Sequence, residues 1–263
     1  MQGLGFEYDE SLLVYDMVWN DEFDGTELDS TKWRYEVNGL GGGNGELQYY
    51  TDENVVVSDG TLKIIARKEE YNGKEYTSSR ITTQFTQDWK YGKFQIRAKL
   101  PGGRGTWPAI WMIPMYNAYG GWPDSGEIDI MESVGYDPYK VHSTLHTEIF
   151  NDANFNSQKG SSKTLSDPMN NFHVYELEWL PETIRFYVDG ELIFTYVPRD
   201  YKVCPTSQQW PFDKQFFMIL NVAIGGSWGG INGVDNTIFP VEMEVDYVRV
   251  FQSETITDIK PIE

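Results

Sequence analysis

The chain has 263 residues, of which 40% are hydrophobic and 15% aromatic, enough to bury most of its apolar surface in a sizeable core. Its formal net charge of -19 would repel phosphate backbones and anionic lipids, which argues against nucleic-acid and membrane-surface partners and favours a neutral ligand. The longest apolar run, FFMIL at residues 216–220, is far too short for a membrane span, and the single cysteine, Cys204, excludes an internal disulfide.

Short alternating segments recur along the chain, separated by turn residues. Residues 54–68, NVVVSDGTLKIIARK, predict a β-hairpin around Asp59-Gly60, because an Asp-Gly pair supplies the positive φ of a two-residue turn. Residues 92–100 and 173–180 alternate apolar and polar side chains, as half-buried strands do. Residues 182–197 predict a second hairpin around another Asp-Gly pair.

The fold class predicted from these segments is all-β. No long stretch has a convincing 3.6-residue period, and many short strands with Gly, Pro and Asp turns indicate a sandwich or jelly roll. Residues 1–251 are expected to form a single domain, and the polar residues 252–263 a tail or linker stub. No secretory signal segment precedes the first predicted strand, so we expect such a segment to be absent or already removed.

Three carboxylates crowd into the segment GEIDIMESVG. In a regular strand Glu127 and Asp129 share a face, whereas Glu132 points the other way. A one-residue β-bulge at Ile130 or Met131 would return Glu132 to the face of Glu127, and bulges are frequent beside active sites. We therefore predict a bulge between the second and third carboxylates.

This bulge would give Glu127 and Glu132 a spacing suited to sugar chemistry. Four paired positions separate their Cα atoms by about 13 Å, and two side chains that lean together would leave about 5 Å between carboxyl groups. A retaining glycosidase, in which one carboxylate attacks the sugar and the other serves as acid and base, needs about 5 to 5.5 Å. The charge of Asp129 would help one glutamate to hold a proton. A solvated strand face or a calcium cage is the alternative for this cluster.

Aromatic residues surround the acidic segment. Trp107 and Trp111 are four positions apart, on one face of a predicted strand, and Trp122 comes shortly before Glu127. Sugars present flat apolar faces as well as hydroxyls, so rings with a few polar groups suit a glycan ligand. Packing in the core is the alternative for each ring.

Two other motifs have spacings that could carry different chemistry. His142 and His146 have a spacing that could bind zinc on a helix, but the surrounding Val141 and Thr144 favour a strand, so no zinc site is expected. His146 near the acids could donate a hydrogen bond to substrate, or it could be structural. The glycine-rich residues 39–45 are not followed by a helix start, so no phosphate site is expected.

Eight motifs occur in unbroken order between about Val18 and Phe251, namely VWNDEFDG, SSRITT, YGKFQIRAKLP, WPAIWMIP, GEIDIMESVG, LHT, NVAIGGSWGG and VDYVRVF. Together they resemble the motifs of glycoside hydrolase family 16, in particular those of laminarinase-type endo-β-1,3-glucanases. The resemblance implies a concanavalin A-like β-jelly-roll sandwich of two antiparallel sheets, with a substrate cleft across the concave sheet. It also implies a retaining endo-glycosidase that hydrolyses β-1,3-glucans such as laminarin.

The same resemblance implies roles for individual residues. The family's nucleophile falls on Glu127, its acid/base on Glu132 and its assisting carboxylate on Asp129. Its substrate contacts fall on Asn44, Arg80, Trp107, Trp111, Trp122, His146 and Trp228. The family's GWGNNELQYYT is GGGNGELQYYT here, with Gly42 in place of Trp and Gly45 in place of Asn, so one end of the cleft is expected to be more open.

The resemblance implies no cofactor for catalysis, but it does imply a structural Ca²⁺ site. This site would draw on Glu22, the carbonyl of Gly60 and Asp246, whose oxygen ligands suit the ion. We expect a secreted, monomeric protein whose partner is a β-glucan polysaccharide or oligosaccharide. Two alternatives stay open, because fold does not fix function. One is a family member acting on mixed-linkage glucan or a marine galactan, and the other is a non-catalytic glucan-binding module.

Overall fold

The computed structural model describes residues 6–153 and 157–259, and strands dominate it. The strands of these residues are, in chain order, β1 (Asp16–Asp21), β2 (Arg34–Tyr35), β3 (Gln48–Tyr50), β4 (Val55–Ser58), β5 (Thr61–Tyr71), β6 (Lys74–Ser78), β7 (Arg80–Thr82), β8 (Gly92–Lys99), β9 (Thr106–Pro114), β10 (Glu127–Ser133), β11 (Lys140–His146), β12 (Lys159–Thr164), β13 (His173–Leu180), β14 (Thr183–Val188), β15 (Glu191–Tyr196), β16 (Phe216–Ile224) and β17 (Val241–Gln252). Short 3-10 turns lie at Glu10–Leu12, Gly41–Gly43 and Pro198–Asp200, and a one-turn helix, α1, at Glu254–Thr257.

The strands form two sheets, which confirms the predicted all-β sandwich. The first sheet has the order β15-β14-β13-β8-β17-β5-β6-β3, with β1 added beside β17 and β4 beside β5. The second has the order β12-β11-β10-β9-β16-β7-β2. The pairings are antiparallel except for that of β3 with β6, which is parallel and lies at one edge of the first sheet. Two successive antiparallel pairings, β4 with β5 and β5 with β6, reverse the chain twice, so β6 runs in the direction of β4 and of β3.

Both predicted hairpins are confirmed. Strands β4 and β5 are joined at Asp59 and Gly60, with φ values of 56° and 74°, and strands β14 and β15 at Asp189 and Gly190, with 53° and 75°. The predicted alternation is confirmed too, because the apolar positions of β8 and β13 lie fully buried in the core. They are Phe94, Ile96, Ala98, Tyr175, Leu177 and Trp179.

The second sheet has one face in the core and one face that carries the candidate site. On β9, Ile110 and Met112 are fully buried in the core, so Trp107 and Trp111 alternate with them onto the opposite face. We call this opposite face the site face. The site face includes Arg80, Trp107, Trp111, Glu127, Asp129, Glu132, His142, His146 and Asn221.

The segment after residue 251 packs further than the sequence suggests. Ile256, in helix α1, is fully buried and belongs to the hydrophobic core. The predicted tail of residues 252–263 is therefore wrong for its first part, and its last residues, 260–263, lie outside the described residues. The domain boundary at residue 251 stays a prediction. Within the described ranges, the helices are all too short or too polar to cross a membrane.

Candidate active site

Strand β10 contains the bulge that the sequence predicts. Asp129 and Met131 pair with consecutive residues of β9, so Ile130 is the extra residue. Ile130 and Met131 consequently both pack in the core, at 1% and 0% exposure. Glu132 thereby returns to the site face, on the side of Glu127.

A neighbouring serine satisfies the backbone at the bulge. A bulge leaves ladder hydrogen bonds unmade, and a buried carbonyl without a donor costs free energy. The hydroxyl of Ser143, on β11, donates to the carbonyl of Ile130 at 2.8 Å, and both residues are buried. This bond holds the extra residue in place and so fixes the direction of Glu132.

Glu127 lies between a neutral donor and a histidine. The indole N–H of Trp122 donates to Glu127 Oε2 at 2.7 Å. His146 is the partner of Glu127 on β11, and its Nε2 lies 3.9 Å from Glu127 Oε1 and 3.2 Å from Asp129 Oδ2. The rings of Trp122 and His146 are also in contact, with centroids 5.9 Å apart. The first two acids and the histidine thus form one compact group.

Glu132 has a separate set of neighbours. The indole N–H of Trp107 donates to Glu132 Oε1 at 2.9 Å. The ring of Trp228 lies edge-on to Trp107, with centroids 5.6 Å apart, and edge-on to His142 at 5.0 Å. His142 is the partner of Glu132 across to β11. Glu132 thus has one aromatic donor in direct contact, and two further rings lie next to that donor and on the neighbouring strand.

Burial raises the pKa of all three acids. Burial raises the pKa of Glu132 to about 7, with the Trp107 hydrogen bond opposing the rise and the charge of Glu127 adding to it. For Glu127, burial and then the charge of Asp129 raise the pKa. For Asp129, burial and then the charge of Glu132 raise it, while His146 opposes the rise. Because Glu127 and Asp129 are close neighbours, they retain a shared proton to higher pH than isolated carboxyls would.

The pKa values of the two histidines of β11 are shifted in opposite directions. Burial alone would lower the pKa of His146, but hydrogen bonds to Asp129 and Asp152, together with their charges, raise it to about 11. The Nδ1 of His146 lies 3.1 Å from Asp152 Oδ1. For His142, burial and then the charge of Lys140 lower the pKa. At neutral pH His146 is therefore a cation, and His142 is neutral.

The middle of the site face is built around Trp111. Its indole N–H donates to Asn221 Oδ1 on β16 at 2.8 Å. The guanidinium of Arg80 lies over the Trp111 ring, 4.8 Å from the centroid, and its Nε is 2.7 Å from Glu36 Oε2. The ring and the arginine are thus both held in place by polar partners. This arrangement offers an apolar surface flanked by hydrogen-bonding groups.

The glycine-rich loop joins the site through its backbone. The carbonyl of Asn44 accepts from the amide of Ser227 at 2.9 Å, and Leu47 donates to Ile224 at 2.8 Å. The Nδ2 of Asn44 lies 3.4 Å from Glu46 Oε1. The loop is therefore attached beside the residues that precede Trp228.

The structure brings the predicted catalytic and substrate-contact residues together on or beside the site face. Sequence reasoning missed Asp152, Glu36, Glu46 and Asn221, which hold the predicted residues in place. Asn221 carried a signal, because it interrupts the apolar run of β16 with a polar side chain. Asp152 and Glu36 carried none, since each reaches the site only through tertiary structure.

The predicted calcium ligands lie elsewhere, on the first sheet. Glu22 forms a bidentate pair with Arg249, at 2.9 and 2.8 Å, and Asp246 pairs with Arg97. Gly60 lies in the β4–β5 turn. Because arginines already neutralise both carboxylates, the residues as placed do not fit a calcium ion, and the site stays a prediction.

One cluster on the site face has metal-ligand chemistry. Glu127, Asp129 and His146 offer ligand atoms within 4.8 Å of one another. A metal would have to displace the proton from His146, whose pKa is raised to about 11. Protons would therefore compete with a metal ion at this cluster.

Comparison with known proteins agrees with this geometry. Residues 44–249 match the family model described as glycosyl hydrolases family 16. The chain is 48% identical to a β-glucanase of Rhodothermus marinus, over 95% of this chain and 89% of that protein. It is similar to the X-ray structure of the R. marinus laminarinase, with TM-score 0.89 and 48% identity, covering 92% of this chain and 99% of that one. It is also similar to the laminarinase catalytic domain of Thermotoga maritima, with TM-score 0.84 and 40% identity, covering 91% and 98%. The chain belongs to glycosyl hydrolases family 16.

Proposed function

We propose that the protein is a retaining endo-glycosidase that hydrolyses β-1,3-glucosidic bonds in glucans such as laminarin. The observation that carries this proposal is the bulge at Ile130, which puts Glu127 and Glu132 on one face of one strand. Each of the two acids also receives an indole N–H, from Trp122 and Trp107 respectively. Two acids that reach a substrate from the same side are the arrangement that a double displacement requires.

In the first step Glu127 attacks the anomeric carbon while Glu132 protonates the leaving oxygen. Burial supports the second role, because a pKa raised to about 7 lets Glu132 keep its proton near neutral pH. For the attack, the proton that Glu127 and Asp129 share must move to Asp129, which leaves Glu127 charged. In the second step Glu132 accepts a proton from water, and that water releases the sugar from Glu127.

The choice of β-1,3-glucan rests on the rings and on the relatives. Trp107, Trp111 and Trp122 provide apolar surfaces for sugar faces, and Arg80 and His146 provide donors for hydroxyls. The similar proteins of R. marinus and T. maritima are described as a β-glucanase and laminarinases. The net charge of -19 favours a neutral glycan over a sulfated one.

A pair of matched substitutions tests the mechanism. Glu127→Gln should abolish release of reducing sugar from laminarin while glucan binding stays measurable, because the amide keeps the shape but cannot attack. Glu75→Gln is the control, since Glu75 is an exposed glutamate paired with Lys68. Proton NMR of the first product should show the β anomer. Full turnover in Glu127→Gln, or an inverted product, would refute the mechanism.

A substrate panel separates the alternatives. We expect hydrolysis of laminarin in preference to lichenan, agarose and carrageenan, with oligosaccharides as the early products. Preference for lichenan or agarose would favour a mixed-linkage or galactan enzyme. Glucan binding without any release of sugar would identify a non-catalytic module.

Three further parts of the proposal come from the family resemblance. We infer a secreted, monomeric enzyme, and gel filtration with light scattering tests the monomer. A calcium ion at Glu22, Gly60 and Asp246 would have to displace two arginines. If the site forms, Ca²⁺ should raise the melting temperature of the protein and a chelator should lower it. An unchanged melting temperature would remove this site from the proposal.

A further inference from the structure

The side chain that links the glycine-rich loop to the middle of the site face is Glu46. Resting on the proposed function, we propose that Glu46 is a positioning residue for glucan binding. It acts through Tyr50 and Asn221. The hydrogen bonds between these residues orient the amide of Asn221 so that its oxygen accepts from the indole N–H of Trp111. The three linking residues Glu46, Tyr50 and Asn221 are called the relay below.

The relay is a continuous chain of hydrogen bonds. The hydroxyl of Tyr50 donates to Glu46 Oε2 at 3.1 Å, and the Nδ2 of Asn221 donates to the Tyr50 oxygen at 3.1 Å. The Oδ1 of Asn221 then accepts from the Trp111 indole at 2.8 Å. Exposure of the linking side chains is low, at 7% for Glu46, 2% for Tyr50 and 5% for Asn221. Water therefore has little access to replace a missing partner.

The Glu46 carboxylate determines which group donates and which accepts in each hydrogen bond of the relay. An ionised carboxylate only accepts hydrogen bonds, so the Tyr50 proton must point to Glu46. The Tyr50 oxygen is then left to accept, which turns the amide nitrogen of Asn221 towards it. As a result the amide oxygen of Asn221 faces Trp111, and the indole N–H has an acceptor. Without this orientation, the amide could present its donor to the indole donor and leave both unsatisfied.

Glu46 is itself held firmly. Gln48 Nε2 donates to Glu46 Oε2 at 2.7 Å, while Gln48 Oε1 accepts from the Ile224 amide at 2.7 Å. A Cβ on Gly42 would collide with the Glu46 carboxylate, so the glycine at this position leaves the room that the carboxylate occupies. In the described part of the chain no lysine, arginine or histidine pairs with Glu46 within 4.0 Å. The carboxylate is thus committed to orienting neutral donors.

The consequence for binding lies at Trp111. Its ring offers the site face an apolar surface beneath the guanidinium of Arg80. A ring that is fixed before the substrate arrives loses less conformational freedom on binding. Loss of the relay should therefore weaken glucan binding and raise KM. It should leave kcat nearly unchanged, because none of the relay bonds reaches Glu127 or Glu132.

The test compares two buried tyrosines in the full chain. Tyr50→Phe removes the relay hydroxyl and keeps the ring. Tyr196→Phe is the matched control, because Tyr196 is fully buried in the first sheet and donates to the carbonyl of Gln209 at 2.5 Å. We expect Tyr50→Phe to raise KM for laminarin about fivefold, the effect of one lost hydrogen bond, with kcat within about twofold of the original. Tyr196→Phe should change neither constant.

Two more variants test the relay as a unit. Glu46→Ala should raise KM as Tyr50→Phe does, and the double variant should be no worse than either single one, because both break the same chain. Glu46→Gln keeps an acceptor oxygen and should recover most of the loss. Additive effects of Glu46→Ala and Tyr50→Phe would overturn the relay. Equal changes of KM in Tyr50→Phe and Tyr196→Phe would overturn it as well.

A spectroscopic readout separates this proposal from the proposed function. The indole N–H resonance of Trp111, assigned with Trp111→Phe, should move in Tyr50→Phe and stay in place in Tyr196→Phe. An unmoved resonance in Tyr50→Phe overturns the relay whatever the activity. If the unchanged protein fails to hydrolyse any β-glucan, the proposed function falls, while the resonance still decides whether the relay fixes the indole. The same readout serves if Glu46→Ala does not fold.

Discussion

Replacing Trp107 by Phe should move the alkaline limit of activity to higher pH. The indole N–H of Trp107 donates to Glu132 at 2.9 Å and lowers its pKa, because the bond favours the charged carboxylate. Burial has the opposite and larger effect, so the pKa of Glu132 is about 7. Phe keeps an aromatic ring but has no donor. The pKa of Glu132 must therefore rise further in the variant.

The size of this shift follows from the bond that is lost. A hydrogen bond to a charged group contributes about 1.5 to 3 kcal/mol, and one pKa unit corresponds to about 1.4 kcal/mol. The lower end applies, because water can take part of the donor's place at Glu132. We therefore expect a rise of about one unit. The acid must be protonated to act, so the alkaline limb of kcat/KM against pH should move up by the same amount.

The matched control is Trp122→Phe, which removes the corresponding donor from Glu127. The nucleophile must be charged to act, so a higher pKa there moves the acidic limb upward and narrows the pH range. Trp107→Phe should widen the range instead. Profiles measured on laminarin between about pH 4 and 10 distinguish the two, since they cover the limbs expected from both groups. An alkaline limb that stays in place in Trp107→Phe would refute the assignment of Glu132 as the acid.

Three further predictions concern the surroundings of the acids. Asp152→Asn removes the negative charge that lies 3.1 Å from His146 Nδ1, so the pKa of His146 should fall from about 11. NMR titration of the three histidines measures this pKa, and an unchanged value would contradict the contact. Glu132→Gln should raise the melting temperature at pH 8 but not at pH 4. The pKa of Glu132 in the folded protein, about 7, lies above its usual value of 4.5. Glu132 therefore makes its full contribution to the free energy of unfolding below pH 4.5, and this contribution is lost as the pH rises through 7. An equal effect of the substitution at both pH values would exclude this cause. Ser143→Ala leaves the Ile130 carbonyl unsatisfied and should lower the free energy of unfolding in urea by about 1 to 2 kcal/mol and reduce kcat; a change in neither would show that the bond does not hold the bulge.

The fold could be predicted because its signals are local. Asp-Gly pairs fix the turns at Asp59 and Asp189, and alternation along β8 and β13 fixes which side chains are buried. Where local pattern was silent, the prediction failed. The sequence pattern of β3 and β6 does not indicate that the two strands pair in parallel. The polar composition after residue 251 likewise does not indicate that Ile256 packs in the core.

The acids of the site could be predicted for a different reason. Strand alternation leaves Glu132 on the wrong face, and this conflict between period and chemistry is itself the signal of the bulge at Ile130. The supporting residues gave no such conflict. Asp152 and Glu36 are ordinary surface acids in the sequence, and only tertiary structure brings them to His146 and Arg80. Long-range partners of this kind are not encoded in any local period.

The charges around the two glutamates differ in a way that bears on their proposed roles. Glu127 and Glu132 lie on one strand, and burial raises the pKa of both. What differs is the residue across from each on β11. Glu127 faces His146, a cation that favours the charged carboxylate, whereas Glu132 faces His142, whose lowered pKa leaves it neutral. The charge of His146 opposes the rise of the pKa at both glutamates, but its Nε2 lies 3.9 Å from Glu127 and forms no ion pair within 4.0 Å with Glu132 among the described residues. The positive charge on β11 is therefore placed beside the proposed nucleophile and farther from the proposed acid.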